Sequence, residues 1–116
     1  MFWIAVTGIM LSATAAPVDV ILDTDLGDDI DDTWALCQML GTPEINPKLI
    51  VTAAHNTPLK TRLVAKILES IGRTDVPLGI GKKTADKPIN QAEWLGDYSL
   101  DDYKGVVHKD GIQVMI

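Results

Sequence analysis

Six aspartates stand within ten residues of this chain: Asp23, Asp25, Asp28, Asp29, Asp31 and Asp32, in the stretch VILDTDLGDDIDDTWAL from Val20 to Leu36. Carboxylates serve as hydrogen-bond acceptors, general bases and ligands of hard cations. Each pair held about 4 Å apart also repels by roughly 1 to 4 kcal/mol in water-like to surface-like dielectric. A solvated acidic loop ahead of a helix, with Asp31 or Asp32 as its N-cap, is the plainest account of such crowding. It leaves unexplained an apolar run, Val20 to Leu22, that leads directly into Asp-x-Asp, then a glycine, then further acids opening a helix. That order suits a hard cation at the carboxyl end of a strand, where calcium would take several oxygens at about 2.3 to 2.6 Å. An EF-hand is excluded by spacing: counted from Asp23, the fifth and sixth positions are Gly27 and Asp28, and Trp34 occupies the place of the closing glutamate.

The elements that must position these acids are legible around them. Val18 to Asp23 is expected to be a strand, its continuous apolar run implying cover on both faces. Asp31 and Asp32 open a helix whose dipole their charge complements; Trp34, Ala35, Leu36, Met39 and Leu40 are its apolar positions, and Gly41 and Pro43 stop it. Lys48 to Ala54 is expected as a second strand, running into His55, Asn56 and Thr57. A second helix from about Pro58 to Ile71 carries Leu59, Leu63, Ile67 and Ile71 on one face, widened by Val64 and Leu68. Val76 to Ile80 is a third strand, which Pro77 and Gly79 place late or near an edge.

Strand, helix, strand, helix, strand predicts an α/β fold, a Rossmann-like parallel sheet with flanking helices. In such sheets ligands bind beyond the carboxyl ends of the strands, so the aspartates and Asn56 are expected to face one crevice. After Lys82 the pattern weakens to a short amphipathic piece around Ile89 to Leu95 and an apolar finish over Val106 to Ile116.

Composition narrows the function classes. A chain of 116 residues that is 47% hydrophobic can bury one small core, and a net charge of −6 leaves no basic face for phosphates, which argues against a nucleic-acid partner. Residues 1–15 read as a signal peptide: an uncharged apolar run from Phe2 to Leu11, then Ala13-Thr14-Ala15 in Ala-x-Ala form, though with no Lys or Arg at the start. Export to the periplasm or medium follows as an expectation, with residues 16–116 as the folded part and no stable membrane association after cleavage. Cys37 is the single cysteine, so no intrachain disulfide or cysteine-based zinc site can form. Its apolar neighbours predict a small buried thiol.

Three chemistries remain open from the residues. A haloacid-dehalogenase-like Mg²⁺ phosphatase would use Asp23 and Asp25 as nucleophile and acid, but that family follows the pair with Gly-Thr, and Leu26-Gly27 stands here. An inactive remnant or a Ca²⁺-binding module would use the acids without turnover. The third accounts for more residues: DTDLGDDIDDTWAL resembles the N-terminal signature of the inosine/uridine-preferring nucleoside hydrolase family, in the variant form Gly-x-Asp-x-Asp-Asp. Pro43-Glu44-Ile45, Leu49 to Thr52, and Ile71 to Leu78 with Gly81 are similar to the family's later segments in the same order, and His55-Asn56 stands where the family has Gly-Asn. Val107 to Ile112 is faintly similar to a His-Gly-x-Asp-Gly-Leu segment.

The resemblance implies hydrolysis of the N-glycosidic bond of a ribonucleoside, releasing ribose and a free base with a Ca²⁺-activated water. It implies that Asp25 is both a Ca²⁺ ligand and the general base, and Asp32 a second ligand. Asp31 would accept hydrogen bonds from ribose hydroxyls and Asn56 would help hold the sugar. Asp23 would support the loop and Asp29 would stand within reach of metal or sugar; His55 departs from the family's pattern and reads as structural ahead of catalytic. Members of the family are much longer, so the chain reads as an N-terminal portion with little turnover of its own; homo-oligomerisation stays open.

Overall fold

The computed structural model describes residues 15–116. Apart from Ala15, the expected leader lies outside the described residues. Among the described residues four parallel strands form one sheet in the order β1-β2-β3-β4, so the α/β expectation holds. Parallel neighbours need crossovers, and helices supply the first two.

The first strand, β1 (Val18–Thr24), alternates. Val20 and Leu22 turn toward the core and Thr24 is buried, whereas Asp19, Ile21 and Asp23 are exposed. Cover on both faces is therefore corrected: one face of β1 is open, and among the described residues β1 is an edge strand, paired only with β2 (Ile45–Thr52). β2 begins three residues earlier than its pattern suggests because the ladder absorbs Pro47, which has no N–H to donate. Val20 pairs with Pro47 and Ile21 with Leu49, leaving Lys48 as an extra residue in a register shift.

Between them runs α1 (Asp31–Leu40). Its N-cap position is Ile30, with no side-chain cap, and Asp31 and Asp32 occupy the first turn. They complement the dipole without capping it, which corrects the expected N-cap role. Only Leu36 and Met39 of this helix are buried. Trp34 is 69% exposed and Cys37 is also exposed, sharing a shallow surface with Ile30 and Thr33. The buried thiol expected from its neighbours is corrected: the apolar residues of α1 spread around the helix, and the sheet covers only one side.

The second crossover is α2 (Thr57–Ser70), started by Asn56, whose Oδ1 accepts from the Leu59 N–H at 3.3 Å, with Pro58 in the first turn. Its buried face carries Leu63, Val64 and Leu68, but also Lys60 and Thr61, while Ile71 is 53% exposed. The stripe is thus rotated from the expected one toward Lys60. β3 (Leu78–Ile80) starts late, as Pro77 implies, although Pro77 still accepts from the Ile50 N–H at 3.1 Å. It is not an edge, because β4 (Val107–His108) pairs on its far side.

Gly79 of β3 touches the last helix, α3 (Gly111–Met115). A Cβ on Gly79 would sit 2.7 Å from the Gly111 Cα, so neither glycine tolerates a side chain without movement. Asp110 caps α3 by accepting from the Gln113 N–H at 3.0 Å. A 3₁₀ segment, Asn90–Leu95, fills the place of the expected amphipathic piece and buries Leu95. Leu36, Ile50, Leu63, Val64, Leu68 and Leu78 form the centre of the core. Burying each such side chain contributes roughly 1.5 to 3 kcal/mol. Among the described residues no helix is long and apolar enough to cross a membrane.

Candidate functional site

β1 and β2 finish together, the Ala53 N–H donating to the Thr24 carbonyl at 2.8 Å. From this junction the buried Thr24 hydroxyl donates to Asp32 Oδ1 at 2.8 Å and accepts from the Leu26 N–H at 3.2 Å. One threonine thereby fixes the first turn of α1 to the end of β1. Asp25 follows Thr24, and its carboxyl group lies within hydrogen-bonding reach of Asp32. The two residues proposed to share a cation are thus side by side.

The electrostatics carry the mark of that proximity. Burial pushes the Asp32 carboxyl above the usual range, the Thr24 hydroxyl pulls it back, and the Asp25 carboxyl, as hydrogen-bond partner and as charge, raises it again together with Asp31. A carboxyl raised in the folded state binds more protons than the unfolded chain, so stability falls as pH rises from the unfolded value of 3.8 through the higher folded value. Above that window the penalty is complete. Asp32→Asn, which keeps the oxygen that accepts from Thr24, is expected to raise stability at pH 7 by about 1 kcal/mol, the size of one unit-charge repulsion at about 4 Å in water. Urea unfolding with no divalent cation added should show that gain at pH 7 and its disappearance near pH 3. Equal midpoints at pH 7 would mean that the carboxylates are too well solvated to repel.

The loop between Asp25 and Asp31 is pinned from two sides. Gly27 has a φ of 125°, and a Cβ there would meet Ile89 Cδ1 at 2.9 Å. Gln91 holds the outside: its N–H donates to the Gly27 carbonyl at 2.9 Å, its Nε2 to the Asp29 carbonyl at 3.0 Å, and its Oε1 accepts from Thr33 Oγ1 at 2.9 Å. From beneath, Lys60 of α2 donates to the Asp25 carbonyl and stands 3.6 Å from Asp28 Oδ2. Sequence reasoning missed Thr24, Lys60 and Gln91 as site residues. Only Lys60 left a signal, a lysine three and four residues before Leu63 and Val64 on the buried stripe.

The other expected site residues are distributed around this pair. Asp31 is exposed in the first turn of α1. Asn56 caps α2 at the same end of the sheet, in the turn before Lys60. Asp29 is exposed, with its backbone held by Gln91. Asp23 lies on the face of β1 opposite Thr24, lining a cavity of about 170 Å³ with Ala53, Ala54, Lys82, Ile112 and Met115. A larger cavity of about 460 Å³ lies behind the loop, between Ile30, Thr33, Leu63, Ile67, Gln91, Glu93 and Trp94, and is lined by none of the six aspartates.

This donor set fits part of a hard-cation site. Calcium takes six to eight oxygens. Asp25 and Asp32 bring carboxylate oxygens to one point, where their repulsion is what a divalent cation would offset. Among the described residues no group of three His, Cys, Asp or Glu side chains converges, so further oxygens must come from other groups, water or substrate.

Strain sits at the same end of the sheet. Ala54 and His55 have φ of 61° and 55°, left-handed values that side chains disfavour. Thr84 clips the strained residue in place: the His55 N–H donates to Thr84 Oγ1 at 2.9 Å, and the His55 carbonyl accepts from the N–H groups of Thr84 at 2.9 Å and Ala85 at 3.3 Å. His55→Gly is expected to stabilise the fold by about 1 kcal/mol in urea unfolding, since glycine adopts this conformation freely. A loss of stability would mean that the imidazole makes contacts worth more than the strain.

This arrangement, a parallel sheet carrying paired carboxylates at the carboxyl end of its first strand, has a family to match. The family model of the inosine-uridine preferring nucleoside hydrolases covers residues 20–114, and the chain belongs to that family. It is 36% identical over 97 residues to the non-specific ribonucleoside hydrolase RihC of Salmonella agona, an alignment covering 81% of this chain and 31% of that protein. It is 39% identical over 80 residues to the pyrimidine-specific ribonucleoside hydrolase RihA of Shewanella sp. strain MR-7, covering 67% of this chain and 24% of that one. The chain therefore spans no more than about a third of the length of these relatives. No solved structure matches it.

Proposed function

We propose that the protein is a ribonucleoside hydrolase that cleaves the N-glycosidic bond to release ribose and a free base, with Ca²⁺ as its cation. The observation that carries this reading is the meeting of Asp25 and Asp32 at the end of β1, in a chain of this family. The two carboxylates would hold the ion, which when bound lowers the pKa of a water and orients it. Asp25 would be the general base, accepting a proton from the water that attacks the anomeric carbon. Asp31, exposed and unencumbered by a cap role, accepts from the ribose hydroxyls. Asn56 uses its Oδ1 on the Leu59 N–H, which leaves its Nδ2 to donate to a sugar oxygen. The surrounding negative charge favours the oxocarbenium-like character of the transition state. Residues 16–116 form part of this hydrolase domain, preceded by a signal peptide over 1–15 that directs export.

The test is incubation of the purified protein with inosine, uridine and cytidine, following free base by chromatography and ribose by a reducing-sugar assay. Base release that chelation abolishes and Ca²⁺ restores is the expected result. Because the described residues bring two carboxylates to the ion, the 116-residue chain by itself is expected to turn over far more slowly than the full-length relatives. Hydrolysis of p-nitrophenyl phosphate with Mg²⁺, and no base release, would instead identify a phosphatase using Asp23 and Asp25.

A further inference from the structure

Lys60 is the only charged side chain wholly buried among the described residues, with 0% of its surface exposed. Withdrawing an ammonium from water costs several kcal/mol unless its charge is paired and its N–H groups are bonded. A methionine would fill the same space in the stripe beside Leu63 and Val64 without that cost. The ammonium's partners account for its place: the backbone carbonyl of Asp25 and, 3.6 Å away, the carboxylate of Asp28. Both belong to the acidic turn, and the first is the peptide next to the Asp25 side chain.

Resting on the cation reading above, we propose that Lys60 is a positioning residue for the site, an internal ammonium that ties the Asp25–Asp28 turn to α2 and so fixes Asp25 beside Asp32. Its own base is rigid, since α2 is capped by Asn56 and carries Pro58 in its first turn. The turn it holds is also fastened at Leu26 by Thr24 and at Gly27 and Asp29 by Gln91, but neither of those side chains bonds Asp25 itself. Lys60 is the contact that reaches Asp25 from the core. Its second partner, Asp28, stands 3.9 Å from Lys87 as well, so two ammonium groups flank that carboxylate.

The proposal makes a prediction opposite in sign to that of simple electrostatics. Deleting a positive charge near a cation site strengthens cation binding by Coulomb's law alone. Loss of a positioning contact weakens it, by about 10- to 100-fold for residues that orient ligands. The experiment is calorimetric titration of Ca²⁺ into the wild-type chain and Lys60→Met, with far-UV circular dichroism confirming the fold of each. At least about tenfold weaker binding by the folded variant is expected. Equal or tighter binding overturns the inference while leaving the site reading intact, whereas no Ca²⁺ binding by the wild type overturns both.

If Lys60→Met does not fold, amine acetylation of the folded wild type followed by mass spectrometry decides. Slower labelling of Lys60 on adding Ca²⁺, relative to the exposed Lys48, supports the coupling. A Lys60 rate unaffected by Ca²⁺ overturns it.

Discussion

Asp25→Asn is expected to abolish cation-dependent base release, lowering turnover by at least about 10²- to 10⁴-fold, the usual worth of a positioned general base. The loss should exceed that of substitution at Asp31 or Asn56, because Asp25 is assigned two tasks: ligand and base. Asparagine keeps the size and one oxygen but can neither carry the charge that attracts the ion nor accept the proton. The fold should survive, since the hydrogen bond from Lys60 goes to the backbone carbonyl of residue 25 and not to its side chain. Removing the charge should also relieve Asp32, whose raised proton affinity owes part of its rise to Asp25. Unfolding midpoints equal to or above wild type, together with lost Ca²⁺ binding and lost turnover, are the expected combination. Retained turnover in Asp25→Asn would remove Asp25 from the chemistry.

Gly81→Ala is expected to be the most damaging single-methyl addition near the site, costing about 3 kcal/mol or more, at the upper end of overpacking changes. A Cβ at Gly81 would fall directly onto the Thr52 carbonyl oxygen. That obstacle is backbone, so no rotamer change relieves it. The surrounding bonds are equally fixed: the Gly81 carbonyl accepts from Thr57 Oγ1 at 2.6 Å, and Thr52 Oγ1 donates to the Thr57 carbonyl at 3.1 Å. Pushing β3 away from β2 would break this set and loosen the start of α2, on which Lys60 and Asn56 depend. Thermal unfolding should fall by roughly 10 to 20 °C for a domain of this size. Gly72→Ala is the matched control. Gly72 has a φ of 72° but nothing within 4 Å of a Cβ, so only the conformational cost of about 1 kcal/mol applies. Equal losses from the two substitutions would show that backbone strain, and not close approach to Thr52, governs Gly81.

Much of the scaffold was legible because its signals are local. Pro58 announces the start of α2, Pro77 delays β3, and the alternation of strand and helix patterns yields the parallel sheet. Periodicity reports how apolar residues are arranged around one element, but not how many neighbours will cover that element. For this reason Trp34 and Cys37 lie exposed on α1, and Ile21 lies exposed on an edge strand, although their neighbours in sequence are apolar. The register shift at Lys48 belongs to the same class, since Pro47 becomes a problem only when a ladder must pass it.

For the site the division is similar. The types and order of the acids, Asp-x-Asp-x-Gly and then Asp31-Asp32 at a helix start, already implied a cation, a base and a family. The resemblance had already paired Asp25 with Asp32, and the tertiary structure supplied the contacts that sort the acids: Thr24 bonds Asp32 beside Asp25, while Asp23 lines a cavity on the other face of the sheet and Asp28 stands against Lys60. The partner that reaches Asp25 comes 35 residues later, from the buried side of α2.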